Sequence, residues 1–285
     1  MRFDYLQPKT VEEAISLLSK FDGKAKVIAG GTDLLVQIRN KAIKSERVVD
    51  IGSIPGLDYI NYDEKRGLSI GALTTIRTLE TSSEIQRRYP VICRAASQLG
   101  SVAIRNMATI GGNLCNAAPS AENAPALIGL SATCKIVGPG GQRVVPLEEF
   151  FIGPGSTVLK KGELLIEIQV PVPLPHTRGA YLKHGIRGTI ELAIVGVATI
   201  LTLAPRARVC RDIRVVLGAV APIPMRARKA EKVLRGKKID EALMNEAAEA
   251  ASREARPITD VRATAEYRRE MVGVFTRRAI REALA

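Results

Sequence analysis

The sequence predicts an α+β protein: a small mixed unit, a second mixed region, and a C-terminal domain of antiparallel sheet and helices. Three observations predict this. Strand-like and helix-like segments alternate through the first 54 or so residues. A run of alternating prolines, Pro171-Val172-Pro173-Leu174-Pro175, interrupts any sheet or helix that reaches it. Beyond it, three strand-like apolar runs precede three helical patterns. At 285 residues the chain is long enough to bury a full core and divide into two or three domains.

Taken in order, residues 10–19 read as a helix. Thr10 is its N-cap, Glu13 completes a capping box, and Ala14, Leu17 and Leu18 form the apolar face. Residues 26–29 form a short strand. Gly30-Gly31 turns the chain, Thr32 is positioned to cap, and residues 33–39 read as helical. Strand, glycine turn and helix N-terminus together present free N–H groups and a positive dipole end to an anion. A strand at 48–51 completes a small α/β unit ending near Ile54.

Residues 68–72 read as strand and turn. Thr74-Thr75 precedes a helix from Ile76 that contains Glu80, and a second helix runs from about 89 to 99. Residues 101–108 lead into a second glycine pair, Thr109-Ile110-Gly111-Gly112-Asn113, read as a loop. The polar, proline-punctuated stretch 116–125 opens into an apolar helix at 126–130. Strands are expected at 133–137, 143–146 and 164–170. After the prolines, 180–183, 193–203 and 213–220 read as a three-stranded antiparallel sheet. Amphipathic helices follow at 227–234 and 239–254, and a last helix runs from about Thr264 to the C-terminus.

Glycine pairs carry little information singly: with 24 Gly in the chain, about two arise by chance at ordinary composition. Gly140-Gly141 reads as an ordinary turn. The other two differ in context, each lying beside an apolar stretch with hydroxyl or amide donors next to bare backbone. Converging, they would suit a diphosphate between two sugar or ring systems.

The formal net charge of +13 is compatible with nucleic acid, an acidic membrane or an acidic partner subunit. Residues 205–285 hold 19 basic and 11 acidic side chains, dispersed among one another on helical patterns. That favours solvated helix faces over a nucleic-acid stripe, and with no Trp there is little to stack on bases. No apolar run reaches the length of a membrane span. The start, Met1-Arg2-Phe3-Asp4-Tyr5, lacks a signal-peptide core and a twin-arginine signal, so a cytoplasmic protein is expected. Cys93, Cys115, Cys134 and Cys210 are widely spaced without metal-binding intervals. They are expected to be reduced, mostly buried thiols that hold no zinc or cluster. With only His176 and His184, no catalytic triad can be assembled, and chemistry is expected from a bound cofactor.

The two glycine segments, Ala29-Gly30-Gly31-Thr32-Asp33-Leu34 and Ile104-Arg105-Asn106-Met107-Ala108-Thr109-Ile110-Gly111-Gly112-Asn113-Leu114, resemble the two FAD-binding signatures of the flavoprotein (medium) subunit of molybdenum hydroxylases, the xanthine dehydrogenase and aerobic carbon monoxide dehydrogenase family. The resemblance continues through 116–127. It returns at Arg256-Pro257 and 260–268, so it covers essentially the whole chain. It implies two α/β FAD-binding subdomains of the PCMH type, at 1–54 and 55–175, and a C-terminal α+β domain at 176–285. It also implies a heterotrimeric protomer, often dimerised. A large subunit would carry molybdopterin, and a small one would carry two 2Fe–2S clusters. This subunit would take electrons from those clusters onto FAD and pass them to an external acceptor.

The resemblance further implies residue roles. Ala29, Gly30, Gly31, Thr32, Asp33 and Leu34 would hold the pyrophosphate, largely through backbone N–H groups, with Lys26, Val27 and Ile28 on the entering strand. Thr109, Ile110, Gly111, Gly112 and Asn113 would grip its other side. Leu99 matches an apolar flavin contact and reads equally as a core leucine. Leu165 and Lys183 match positions near the flavin ring, and Lys183 reads equally as a surface lysine. Glu122 and Glu191 stand where the family usually has Asp. One extra methylene moves the carboxylate by more than about an ångström. Two other readings are a free-standing FAD-dependent reductase and a non-redox, basic nucleotide-binding protein. No G-x-G-x-x-G fingerprint for NAD opens a helix. The substrate and the electron acceptor are not written in this chain.

Overall fold

The structure, a computed structural model, describes residues 3–188, 190–205 and 209–285. Its first unit is a three-stranded parallel sheet of order β1-β3-β2, built from β1 (Asp4–Leu6), β2 (Ala25–Ile28) and β3 (Arg47–Asp50). Arg47 is in register with both Asp4 and Ala25. Helix α1 (Val11–Lys20) begins as its sequence dictates. The Thr10 hydroxyl accepts the Glu13 N–H at 3.1 Å, while the Glu13 carboxylate accepts the N–H of Lys9, at 2.7 Å, rather than that of Thr10, so the return bond of the expected capping box falls one residue outside the cap. Ala14 and Leu18 are buried against Val49, Ile51 and Leu73. Helix α2 (Leu34–Arg39) follows the first glycine pair.

The second unit is a five-stranded antiparallel sheet of order β4-β5-β10-β6-β7 with its helices inserted between strands. The strands are β4 (Ile60–Asp63), β5 (Gly67–Gly71), β6 (Thr133–Gly138), β7 (Gly141–Pro146) and β10 (Leu164–Val170); β8 (Phe151–Gly153) and β9 (Ser156–Thr157) form a separate pair. The helices are α3 (Ile76–Thr81), α4 (Ser83–Arg88), α5 (Pro90–Ser97), α6 (Val102–Met107), α7 (Ile110–Cys115) and α8 (Asn123–Gly129). The Gly140-Gly141 turn closes the β6–β7 hairpin, with Gly141 at φ +96°.

The third unit is an antiparallel sheet of order β11-β12-β13-β14: β11 (Thr177–His184), β12 (Val195–Leu203), β13 (Cys210–Gly218) and β14 (Met225–Arg226). Helices α9 (Arg228–Leu234), α10 (Glu241–Glu254) and α11 (Ala265–Leu284) complete it. Every residue of β12 before Leu203 is buried, because α11 packs on the strand and α8 of the second unit also contacts it. A strand covered on both faces reads as a continuous apolar run rather than an alternating one. The expected three-stranded sheet is therefore four-stranded. The added strand pairs only Met225 and Arg226 with Leu217 and Val216. Two residues are too short to carry a period-2 signal, and Pro222 and Pro224 just before them read as turn.

Two further differences bear on the site. The second glycine pair is not a loop but the first turn of α7, and the segment before it, read as a lead-in, is helix α6. All four cysteines are unpaired thiols, with Cys134 and Cys210 buried. No helix among the described residues is long and apolar enough to cross a membrane.

Candidate functional site

The site is a cavity of about 840 Å³ where the three units meet. It lies within the size range of ligand and cofactor pockets. Of the eighteen residues the sequence points to, fifteen line it. They are the whole first segment from Val27 to Leu34, Leu99, four residues of the second segment (Thr109, Gly111, Gly112, Asn113), Glu122 and Leu165. Lys26, Ile110 and Lys183 are not on its surface. Lys26 is exposed on β2, Ile110 is fully buried in the core, and Lys183 is buried behind the wall.

The first glycine segment is built to leave its donors free. Among the described residues, the backbone N–H groups of Gly30, Gly31, Thr32, Asp33 and Leu34 find no hydrogen-bond acceptor. The expected Thr32 cap does not form. Asp33 occupies the N-cap position instead, and its side chain makes no capping bond. Gly31 has φ +71°, in the left-handed region that a glycine enters without steric cost. Successive unpaired N–H groups with such a residue among them form an anion-binding concavity. Gly30 has a different reason to be glycine: a Cβ there would lie 1.8 Å from the Met107 carbonyl oxygen. It is the point at which the first segment touches the second.

The second segment spends its donors on the scaffold. Ile110 N–H donates to Thr74 O at 2.9 Å and Gly111 N–H to Ala72 O at 2.8 Å; Gly112 N–H donates to the Thr109 hydroxyl at 3.1 Å and Asn113 N–H to Thr109 O at 2.9 Å. A Cβ on Gly111 would meet Ala72 O at 2.7 Å, so this glycine lets α7 lie against the end of β5. Its remaining donors are the Thr109 N–H, which has no acceptor among the described residues, the Thr109 hydroxyl hydrogen, and the Asn113 amide. The Asn113 Oδ1 accepts from Asn123 at 3.3 Å, which turns its NH₂ elsewhere.

A buried ion pair joins Glu122, in the wall, to Lys183 behind it. Lys183 Nζ donates to Glu122 Oε1 at 2.9 Å, to Gln98 O at 2.9 Å and to Glu191 O at 2.8 Å, using all three protons. Both side chains are 7% exposed. Burial raises the Glu122 carboxyl above its ordinary value, against the opposing pull of the Lys183 ammonium. Burial also raises Asp33, on the cavity surface. The Glu191 carboxylate folds back on its own loop and accepts the N–H groups of Arg187 and, at 2.9 Å, Gly188. Its longer side chain therefore caps the rim loop rather than reaching across the cavity.

Sequence reasoning missed several lining residues: Gln37, Asn116, Ile104, Ile190 and Leu192 among them. Gln37 Nε2 donates to Asn116 Oδ1 at 3.2 Å, joining the first unit to the second across 79 positions, a pairing that no local pattern announces. No cluster of three or more His, Cys, Asp or Glu suited to a metal occurs among the described residues.

Fold and cavity together define an α+β protein with a cofactor-sized cavity where its three units meet. Residues 1–173 match the FAD binding domain in molybdopterin dehydrogenase, and residues 180–283 match the CO dehydrogenase flavoprotein C-terminal domain. The chain belongs to this family of FAD-binding dehydrogenase subunits. It is 34% identical over 284 residues to the carbon monoxide dehydrogenase medium chain of Hydrogenophaga pseudoflava, covering 100% of this chain and 98% of that one. It is 32% identical over 282 residues to the xanthine dehydrogenase FAD-binding subunit of Escherichia coli O157:H7, covering 99% and 96%. The solved structure of reconstituted CO dehydrogenase from Oligotropha carboxidovorans contains a chain that superposes with a TM-score of 0.95 at 32% identity, covering 100% of this chain and 98% of that one. The protein is thus an oxidoreductase subunit whose cofactor is FAD.

Proposed function

We propose that this chain is the electron-exit subunit of a cytoplasmic, heterotrimeric molybdenum hydroxylase that assembles as a dimer of heterotrimers. It takes electrons from the 2Fe–2S clusters of a small subunit and delivers them to an external acceptor. Substrate oxidation belongs to a large molybdopterin subunit. When bound, FAD supplies two-electron acceptor chemistry that no side chain here offers. The chain divides, in this reading, into FAD-binding subdomains at 1–54 and 55–175 and a C-terminal domain at 176–285.

The single observation that carries the reading is the row of five N–H groups from Gly30 to Leu34 that find no acceptor among the described residues, on residues that line a cavity of dinucleotide size. These donors fit a diphosphate, and Gly31 supplies the left-handed turn, at φ +71°, on which such an N–H row is built. Thr109 and Asn113 add side-chain donors from the opposite wall. Glu122, with Oε1 held by Lys183, keeps Oε2 as an acceptor for a sugar hydroxyl. Leu99 and Leu165 supply apolar surface for a ring system. Lys26, Ile110 and Lys183 support this wall from outside and behind.

The test is purification from the native source. The expected result is a yellow chain with one FAD per copy, accompanied by iron–sulfur and molybdenum chains, whose flavin is reduced when the substrate of the complex is added. A lone, flavin-free polypeptide that cannot be reconstituted with FAD would overturn the reading in favour of a non-redox nucleotide-binding protein. A lone chain that retains FAD would point to a free-standing reductase.

A further inference from the structure

The three units are not joined to the same degree. Between the second and the third, the Ala219 N–H donates to Pro119 O at 2.7 Å, Lys183 bonds Gln98 O and Glu122, and Arg226 and Arg228 both reach Glu148. Tyr181, Ala198, Ile200 and Val216 of the third unit are buried in the core cluster of the second. Between residues 1–54 and the rest of the chain, only two hydrogen bonds occur among the described residues. One runs from Lys161 Nζ to Asp22 Oδ1, whose side chains are 65% and 73% exposed. A pair so open to water and salt holds little. The other is the bond from Gln37 to Asn116.

That second bond lies within the cofactor site. The first unit lines the cavity with Val27 to Leu34, Gln37, Ile43 and Ile51, and the remaining lining residues belong to the other two units. Gln37 stands about one turn beyond Leu34 on α2, and Asn116 about one turn beyond Asn113, at the C-cap of α7. The two glycine segments therefore meet twice. Gly30 lies against the Met107 carbonyl at the start, and Gln37 reaches Asn116 a turn after the end. The amide pair helps set how far the N–H row of the first segment stands from Thr109 and Asn113 of the second.

The chain passes from the first unit to the second once, through Ile54-Pro55-Gly56-Leu57. Ile54 and Leu57 are buried in one apolar cluster with Ala14, Leu18, Ile51, Leu73 and Leu164, and Gly56 between them takes φ +79°. Apolar contact has no preferred direction, so this joint tolerates a change of angle that a hydrogen-bonded one resists. A unit held by one crossover, one apolar cluster and one sheltered hydrogen bond has the construction of a hinged jaw.

We propose that Gln37 and Asn116 are positioning residues for the cofactor: their amide pair is the latch of a jaw, residues 1–54, that closes one half of the diphosphate site onto the other. This rests on the reading that the two glycine segments hold the diphosphate. Opening at the latch separates the two sets of donors, and closing brings them to one anion. Latch and cofactor stabilise the same closed form, so each favours the other.

The test uses the full chain with and without FAD, and the variants Gln37→Ala, Asn116→Ala and the two combined. The FAD dissociation rate is read from flavin fluorescence. Jaw opening is read in the flavin-free chain from the alkylation rate of Cys115, which lines the cavity beside Asn116, against that of Cys93, which lines a separate cavity between the second and third units. Each single variant should lose FAD about three- to tenfold faster, the worth of one neutral hydrogen bond. The combined variant should lose it no faster than the singles, because all three lack the same bond. Cys115 alkylation should rise by a similar factor in all three, with Cys93 unchanged. Dissociation rates that multiply in the combined variant would overturn the latch, since each side chain would then act alone. So would unchanged dissociation, or a rise shared by Cys93 and Cys115, which reports general loosening. Faster dissociation with Cys115 unchanged would also overturn it, because the two side chains would then hold the cofactor themselves. FAD affinity undiminished in Gly30→Ala would instead overturn the reading of the glycine segments, and the Cys115 comparison, made without FAD, would still read the latch.

Discussion

The two glycine segments look alike in sequence and are used in opposite ways. From Gly30 to Leu34 five successive backbone N–H groups find no acceptor among the described residues, while from Ile110 to Asn113 four successive N–H groups are bonded within the protein. In the first segment Gly30 lies against the Met107 carbonyl and Gly31 takes the left-handed turn that accompanies the unpaired N–H groups. In the second, Gly111 lets a helix lie within contact of Ala72. A Gly-Gly pair therefore reports that something must come close, and only the hydrogen-bond partners tell whether that is a ligand or the protein itself.

This difference separates effects on folding from effects on the cofactor. The largest expected effect is on folding. Lys183→Met leaves Glu122 buried without its counter-charge, at a cost of about 3–5 kcal/mol, seen as a lower melting temperature of the flavin-free chain. If Lys183 instead served the cofactor directly, the flavin-free chain would melt as before and the flavin potential alone would shift. Gly30→Ala drives a methyl into a backbone carbonyl that has no rotamer to move, and so parts the two segments. At least a hundredfold loss of FAD affinity is expected, about 2.7 kcal/mol, measured by flavin fluorescence titration. Gly111→Ala should cost about 1–3 kcal/mol of stability through overpacking against Ala72. Denaturant unfolding of the flavin-free chain reads this, and FAD affinity should change less than for Gly30→Ala.

The smallest effect is on pH dependence. Burial raises the Asp33 carboxyl. A carboxyl whose folded pKa lies above its unfolded value of about 3.9 contributes stability that is complete below that value and is lost as pH rises through the folded one. Ionised Asp33 also faces the anion-binding row. Asp33→Asn should therefore tighten FAD by roughly two- to fivefold at low salt and flatten the fall in affinity above the Asp33 titration. A variant whose affinity falls with pH as the wild type does would remove Asp33 from the electrostatics of the site.

Much of this was legible in sequence for physical reasons. Residues 164–170 read as a strand and are one, because β10 is central in its sheet and carries a strong apolar pattern. Thr10 caps its helix as its position announces, and Thr75 and Thr264 cap the helices read as starting beside them, whereas the expected Thr32 cap does not form. Helix α7 was not legible. Two glycines oppose a helix by about 1 kcal/mol each, and tertiary burial of Ile110 and Leu114 with the Thr109 cap overrides them. Arg105 reads as a solvent-facing charge, and only Glu80, 25 positions away, turns it inward. The burial of Lys183 was not legible, because two of its three acceptors, Gln98 and Glu122, lie 85 and 61 positions away.

The contrast between the segments is tested most directly by amide hydrogen exchange, resolved to single residues, with and without FAD. The account predicts that the Gly30–Leu34 amides exchange fast in the flavin-free chain and become strongly protected when FAD binds, while the Ile110–Asn113 amides are protected in both states. First-segment amides already protected without FAD, or second-segment amides that alone respond to it, would contradict the account.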